Sequence, residues 1–208
     1  FAQGVRALAS EFGTTIAVGM FTPGPDGRPL NTCFVTGPAG EASYDKLHLF
    51  DAWGFVESEV MTPGRAPVLI DIAGVKVGIA ICFDLRFGEL FKHYAREGAD
   101  VVIVPASWQS GPGKVDQWRL LAQARALDAT VFVVGAGQSE PTASGRPAGS
   151  GPLGMGHSLA VGPDGTILYE AGEGPCVFSI DIDPDAVASI RERLPVLAVS
   201  RFSVHLDR

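Results

Sequence analysis

Three short apolar runs rich in β-branched residues, "VKVGIAIC" (75–82), "DVVIVPA" (100–106) and "TVFVVGA" (130–136), are separated by helix-length segments at about 87–97 and 114–128. Strands that are apolar on both faces must be covered on both faces, and parallel neighbours need a crossover that a helix supplies. The rhythm therefore predicts β-α-β units in a sheet of the α/β class. Upstream, "QGVRALASEF" (3–12) has helical composition, "TTIAVGM" (14–20) and "NTCFVTG" (31–37) read as strands around the turn "TPGPDGRP", and "GPAGEASYDKLHLF" reads as a turn leading into another strand. A strand is expected at 67–72. Downstream, "QSEPTASGRPAGSGPLGMG" (138–156) has the composition of a long loop, "HSLAVGPDGTILYEAG" reads as a hairpin around Pro163-Asp164-Gly165, "PCVFSIDI" as a strand, and "PDAVASIRERL" as a helix opened by its proline.

No internal repeat or linker divides the 208 residues, so one domain spanning 1–208 is expected. The 46% apolar and 19% charged content suits a packed globular protein. The net charge of −7 and the even spread of the basic residues along the chain argue against a nucleic-acid partner. No run approaches the eighteen apolar residues of a membrane span. Cys33, Cys82 and Cys176 are odd in number and far apart, which argues against a disulfide framework and for a reducing, cytoplasmic setting. The chain opens on Phe1 inside a helical pattern, so a truncated N-terminus is expected.

Cys82 stands where an apolar strand meets a helix-like segment, with Val75, Val77, Ile79 and Ile81 on one strand face and Lys76, Gly78 and Ala80 on the other. Gly78 and Ala80 are expected to leave open space beside the sulfur. A thiol at a helix N-terminus meets backbone N–H groups that favour thiolate and could hold an oxyanion. A buried free cysteine is also commonly a small core residue, so local context leaves both readings open. Cys33 and Cys176 lie within apparent strands, and the core reading is preferred for them. None of His48, His93, His157 and His205 carries a spacing that points at Cys82 or at a zinc site. Lys46 shares an expected strand face with Tyr44, His48 and Phe50, an apolar setting for a cation, although a lysine at a sheet edge is an ordinary feature. Glu57, taken alone, could equally be a solvated loop acid.

Taken in order, "YDKLHLFD" (44–51), "FVESEVMTPG" (55–64) and "VGIAICFDLRFGEL" (77–90) resemble the nitrilase superfamily of carbon–nitrogen hydrolases, closest to its omega-amidase and deaminated-glutathione-amidase branch. The likeness continues through "VIVPASW", "DQWRLLAQARALDA", "GHSLAVGPDG" and "RERLPVLAVSR". It implies a four-layer α-β-β-α sandwich that forms homodimers or larger assemblies, needs no cofactor, and acts on a small amide through a Glu-Lys-Cys set. By resemblance Cys82 is the nucleophile, Lys46 the lysine, and Glu57 a second glutamate beside it. The backbone N–H of Phe83 helps hold the oxyanion, Ala106, Ser107 and Trp108 line the substrate pocket, and Arg86 and Glu89 are structural. The resemblance places the general-base glutamate well before the lysine. Glu11, Asp26, Glu41 and Asp45 do not match its context, so it is expected upstream of Phe1. The expected reaction releases ammonia from a carboxylate-bearing amide through a thioester. The alternatives are an N-carbamoyl amino acid hydrolase, a nitrilase, or a catalytically incomplete paralogue serving as a dimerising scaffold. Gln117, where the branch commonly has histidine, and the ending "RFSVHL" depart from the branch pattern.

Overall fold

The computed structural model describes residues 1–147 and 153–203. His205, the end of "RFSVHL" and part of the 138–156 loop lie outside the described residues. Helix α1 (Ala2–Phe12) stops at Gly13, whose left-handed φ of 59° lets the following amides return to the Ala9 and Ser10 carbonyls. Strands β1 (Ile16–Pro23), β2 (Pro29–Gly37) and β3 (Gly40–Asp45) then form an antiparallel meander in that spatial order. A two-rung hairpin of β4 (Asp51–Ala52) and β5 (Phe55–Val56) follows.

The remaining strands are β6 (Leu69–Ile72), β7 (Val75–Ile79), β8 (Val101–Ala106), β9 (Phe132–Gly137), β10 (Leu159–Val161) and β11 (Ile167–Glu170). They make one sheet in the order β11-β10-β9-β8-β7-β6. Its centre, β7-β8-β9, is parallel, with Val77 opposite Val101 and Val101 opposite Phe132, as the β-α-β rhythm requires. The crossovers are α2 (Gly88–Arg96) and α3 (Lys114–Ala129), and α4 (Pro184–Arg193) follows the sheet. Asp183 caps α4 by accepting the Asp185 N–H at 3.0 Å, and Pro184 supplies the preset φ of its first turn.

Alternation along the central strands sorts the core into layers. Val102, Val104, Val133, Leu159 and Val161 pack against Leu90, Phe91, Tyr94, Trp118, Ala122 and Ala126 of α2 and α3. On the opposite face Ile79 and Ile81 meet Cys33, Val35 and Tyr44 of the three-stranded sheet, while Val77, Val101 and Phe132 meet Val187 of α4. With α1 outside β2, the layers run α-β-β-α, and each buried Val, Leu, Ile or Phe contributes about 1.5–3 kcal/mol.

Four expectations need correction. Gly78 does not supply the open space that Cys82 lines: its side of the strand is filled by the Tyr94 ring, whose Cγ would lie 2.7 Å from an added Cβ. Tyr94 fits there because its hydroxyl donates to the Ile79 carbonyl at 2.5 Å and accepts the Val68 N–H at 3.1 Å. β3 ends at Asp45, so Lys46, His48 and Phe50 do not share a strand face. The Lys46 N–H turns to the Asn31 carbonyl instead, at 2.9 Å. "PCVFSIDI" joins no ladder. Its Phe178 stacks on Tyr169 at 4.4 Å and Val177 is fully exposed, because strand propensity needs a neighbouring edge and a covered face to express itself. Cys176 is accordingly exposed, while Cys33 is fully buried in β2 as expected.

Candidate active site

A cleft of about 860 Å3 opens between the two sheets at the C-terminal ends of β8 and β9. That is where ligands collect in open α/β sheets, because the strand-to-helix loops diverge there. Lys46, Glu57, Cys82, Phe83, Ala106, Ser107 and Trp108 all line it, so the folded chain brings together every expected site residue except Glu89. Glu89 is exposed on α2 and makes no ion pair among the described residues. Arg86 lines the cleft rather than bracing the scaffold with Glu89.

Cys82 begins a tight 3-10 turn (Cys82–Arg86) directly after the buried strand end, with φ of 47°. A non-glycine residue in this left-handed region costs about 1–3 kcal/mol and persists only where the surroundings impose it. The imposing group is Asp84, fully buried two residues on. Its Oδ2 accepts the Ile81 N–H and the Tyr44 hydroxyl, each at 2.8 Å. Its Oδ1 accepts the His48 N–H at 3.0 Å and lies 2.7 Å from His48 Nδ1. His48 in turn stacks on Phe87 with ring centroids 3.6 Å apart. One carboxylate thereby ties the cysteine turn to the segment that carries Lys46. Sequence reading missed Asp84, although a small acid two residues beyond a strand-end cysteine in an apolar stretch is a visible anomaly.

Lys46 and Glu57 are both buried, 3% and 6% exposed. The Lys46 ammonium donates to Glu57 Oε2 at 2.5 Å, and that oxygen also accepts the Phe50 N–H at 2.7 Å. Asn31 Nδ2 reaches Glu57 Oε1 at 3.3 Å. A buried ion pair persists when further hydrogen bonds satisfy its remaining lone pairs, as here. Burial pushes the Cys82 thiol up to about 11, and the Lys46 charge works against that rise. The lowering expected at the head of the turn does not prevail, because desolvation of the thiolate dominates and the Glu57 and Asp84 charges add to it. The Cys82 sulfur lies 3.9 Å from the Ser107 carbonyl. Trp108 packs at 5.2 Å on Trp118 in the core and also lines the cleft.

Among the described residues, no three His, Cys, Asp or Glu side chains converge as metal ligands, and no helix is long and apolar enough to cross a membrane. His48 is engaged by Asp84, and His157 lies 2.9 Å from Glu170 through Nδ1; neither ring lines the cleft.

The family model of the carbon-nitrogen hydrolases matches residues 1–192. A Mycobacterium tuberculosis protein named only as a hydrolase is 45% identical over 215 residues, covering 100% of this chain and 77% of the relative. The deaminated glutathione amidase of Escherichia coli O157:H7 is 37% identical over 194 residues, covering 91% of this chain and 69% of that protein. The crystal structure of Saccharomyces cerevisiae Nit3, a member of branch 10 of the nitrilase superfamily, superposes with a TM-score of 0.82 at 32% identity, over 96% of this chain and 71% of the yeast chain. The layered sandwich, the strained cysteine turn facing a buried lysine–glutamate pair, and these matches agree: the chain belongs to the carbon–nitrogen hydrolase family of the nitrilase superfamily.

Proposed function

We propose that the protein is an amidase that releases ammonia from a small carboxylate-bearing amide through a thioester on Cys82. The observation that carries this reading is the strained Cys82 turn lining the same cleft as the buried Lys46–Glu57 pair. The thiol gives its proton to a base and the sulfur attacks the amide carbon. The Lys46 ammonium and the Phe83 backbone N–H hold the developing oxyanion, since N–H groups in the first turn of a helical segment have no intrahelical partner. The proton passes to the leaving ammonia, and water then hydrolyses the thioester. Glu57 holds Lys46 in place: among the described residues it is the only carboxylate lining the cleft, and both its oxygens are already engaged. The base is a separate group, a glutamate by family resemblance, and no residue from 1 to 208 is assigned that role.

The reading extends to the whole molecule as one catalytic domain. Three free cysteines favour a reducing cytoplasmic setting. A homodimer or larger homo-oligomer is supported by the exposed Leu120 on α3 and Leu168 and Tyr169 on β11, apolar surface that a second copy would cover. The decisive measurement is ammonia release by the full-length protein from a panel of 2-oxoacid amides, deaminated glutathione, N-carbamoyl amino acids and nitriles. Turnover of amides that vanishes in Cys82→Ala is the expected result. Turnover of carbamoyl compounds or nitriles in preference to amides would move the assignment to those classes, and silence across the panel would favour the scaffold reading.

A further inference from the structure

The cleft is lined by two cations that no acid among the described residues balances. Of the charged residues lining it, Lys46 and Glu57 neutralise each other, leaving Arg86 and Lys114 uncompensated in a chain whose net charge is −7. Lys114 is the first residue of α3, and its ammonium sits 3.2 Å from the centroid of the Trp53 ring. One helical turn later on the same face, Gln117 accepts Arg86 Nη2 at 2.8 Å. The Arg86 guanidinium lies 5.3 to 5.9 Å from the centroids of Trp108, Trp53 and Phe83, and its Nε is buried with no hydrogen-bond partner among the described residues. Trp108 Nε1 is likewise buried without a partner, in a residue 5% exposed. Burial and the nearby Arg86 charge both draw the Lys114 pKa down, which marks the two cations as close neighbours in a partly dry setting.

A buried donor without an acceptor is unfavourable and calls for an explanation, and an acceptor on a bound ligand would supply one. We propose that Lys114 is the specificity-determining cation of this cleft, and that with Arg86 and the Trp108 indole it takes a carboxylate at the far end of the substrate. Gln117 holds one end of the Arg86 fork through Nη2. The planar two-oxygen acceptor matches an arginine edge, while the ammonium adds charge without demanding geometry. The inference rests on the amidase reading and sharpens which amides are accepted.

The test compares glutaramate with pentanamide, its uncharged analogue bearing a methyl group in place of the carboxylate. The wild-type protein is expected to prefer glutaramate in kcat/KM, and the preference should fall about 10- to 100-fold in Lys114→Met, chiefly through KM, as expected for a lost hydrogen bond to a charged group. Lys114→Arg should restore most of it. A wild-type enzyme indifferent to the carboxylate, or a preference unchanged in Lys114→Met, would overturn the proposal and leave Lys114 a brace on Trp53. Binding of glutarate to the Cys82→Ala protein, followed by thermal shift, needs no turnover. Stabilisation that Lys114→Met removes would uphold the subsite even if no amide were hydrolysed, in which case the amidase reading alone would fail; no stabilisation would sink the subsite.

Discussion

Replacing Lys46 by methionine keeps the stem and removes the charge, leaving the Glu57 carboxylate buried at 8% side-chain exposure. Breaking a buried pair on one side costs about 3–5 kcal/mol. Here two donors stay on the carboxylate, the Phe50 N–H at 2.7 Å and the Asn31 amide at 3.3 Å, which argues for the lower end, about 3 kcal/mol. For a chain of this size each kcal/mol moves the melting temperature by about 2–4 °C, so Lys46→Met should melt about 6–12 °C lower. The double variant Lys46→Met/Glu57→Gln removes both charges and keeps an oxygen for Phe50. It should recover most of that loss, because replacing both partners of a buried pair is close to neutral. Turnover should not recover, since the oxyanion still lacks its cation, a loss of about 100- to 1000-fold. Urea and thermal denaturation followed by circular dichroism, with ammonia release on the same samples, separate the two effects. A single variant as stable as the wild type would refute the buried-pair argument, and a double variant with restored turnover would remove Lys46 from the chemistry.

Other perturbations probe the surroundings of the thiol. Because burial raises the Cys82 pKa to about 11, its alkylation by iodoacetamide should be slow at pH 7 and keep climbing to about pH 11. An ordinary thiol with a pKa of about 8.5 would level off well below that pH, and such a plateau would contradict the burial argument. Asp84→Asn leaves one oxygen where two served four donor groups, so at least one buried donor loses its acceptor, costing about 1–3 kcal/mol for each. The expected signs are a lower urea midpoint and an altered near-UV spectrum, and a variant of native stability would remove Asp84 as the anchor of the turn. Gly135→Ala would put a Cβ 2.4 Å from the Trp118 ring, whose indole donates to the His157 carbonyl at 2.8 Å. A loss of about 1–3 kcal/mol with a shift in tryptophan emission is expected, and an unperturbed emission spectrum would show the ring is free to move.

Legibility followed how local each signal was. The parallel strands, their crossover helices and the "GPDG" hairpin, now β10 and β11, rest on periodicity, propensity and turn chemistry carried by neighbouring residues. The α4 start was legible for the same reason, in Pro184, while the cap by Asp183 came from the structure. The strand read into 175–182 failed because its apolar residues found no sheet edge among the described residues: Phe178 stacks on Tyr169, Val177 lines the cleft, and Ile182 packs beside Val187. Gly78 was misjudged as the source of open space at Cys82 because the ring that fills its side, Tyr94, is sixteen residues away on α2.

The amino-acid order by itself therefore determined which segments are strands and helices around the parallel centre, and it marked Cys82, Lys46 and Glu57 through a family pattern. Tertiary structure alone decided that the Lys46–Glu57 pair is buried, that Asp84 holds the cysteine in a left-handed conformation, and that Arg86 and Lys114 line the cleft with no acid beside them among the described residues. The physical reason is that periodicity records which face of an element avoids water, whereas the state of a charge depends on partners 11, 36 or 40 residues away that only packing brings within hydrogen-bond reach.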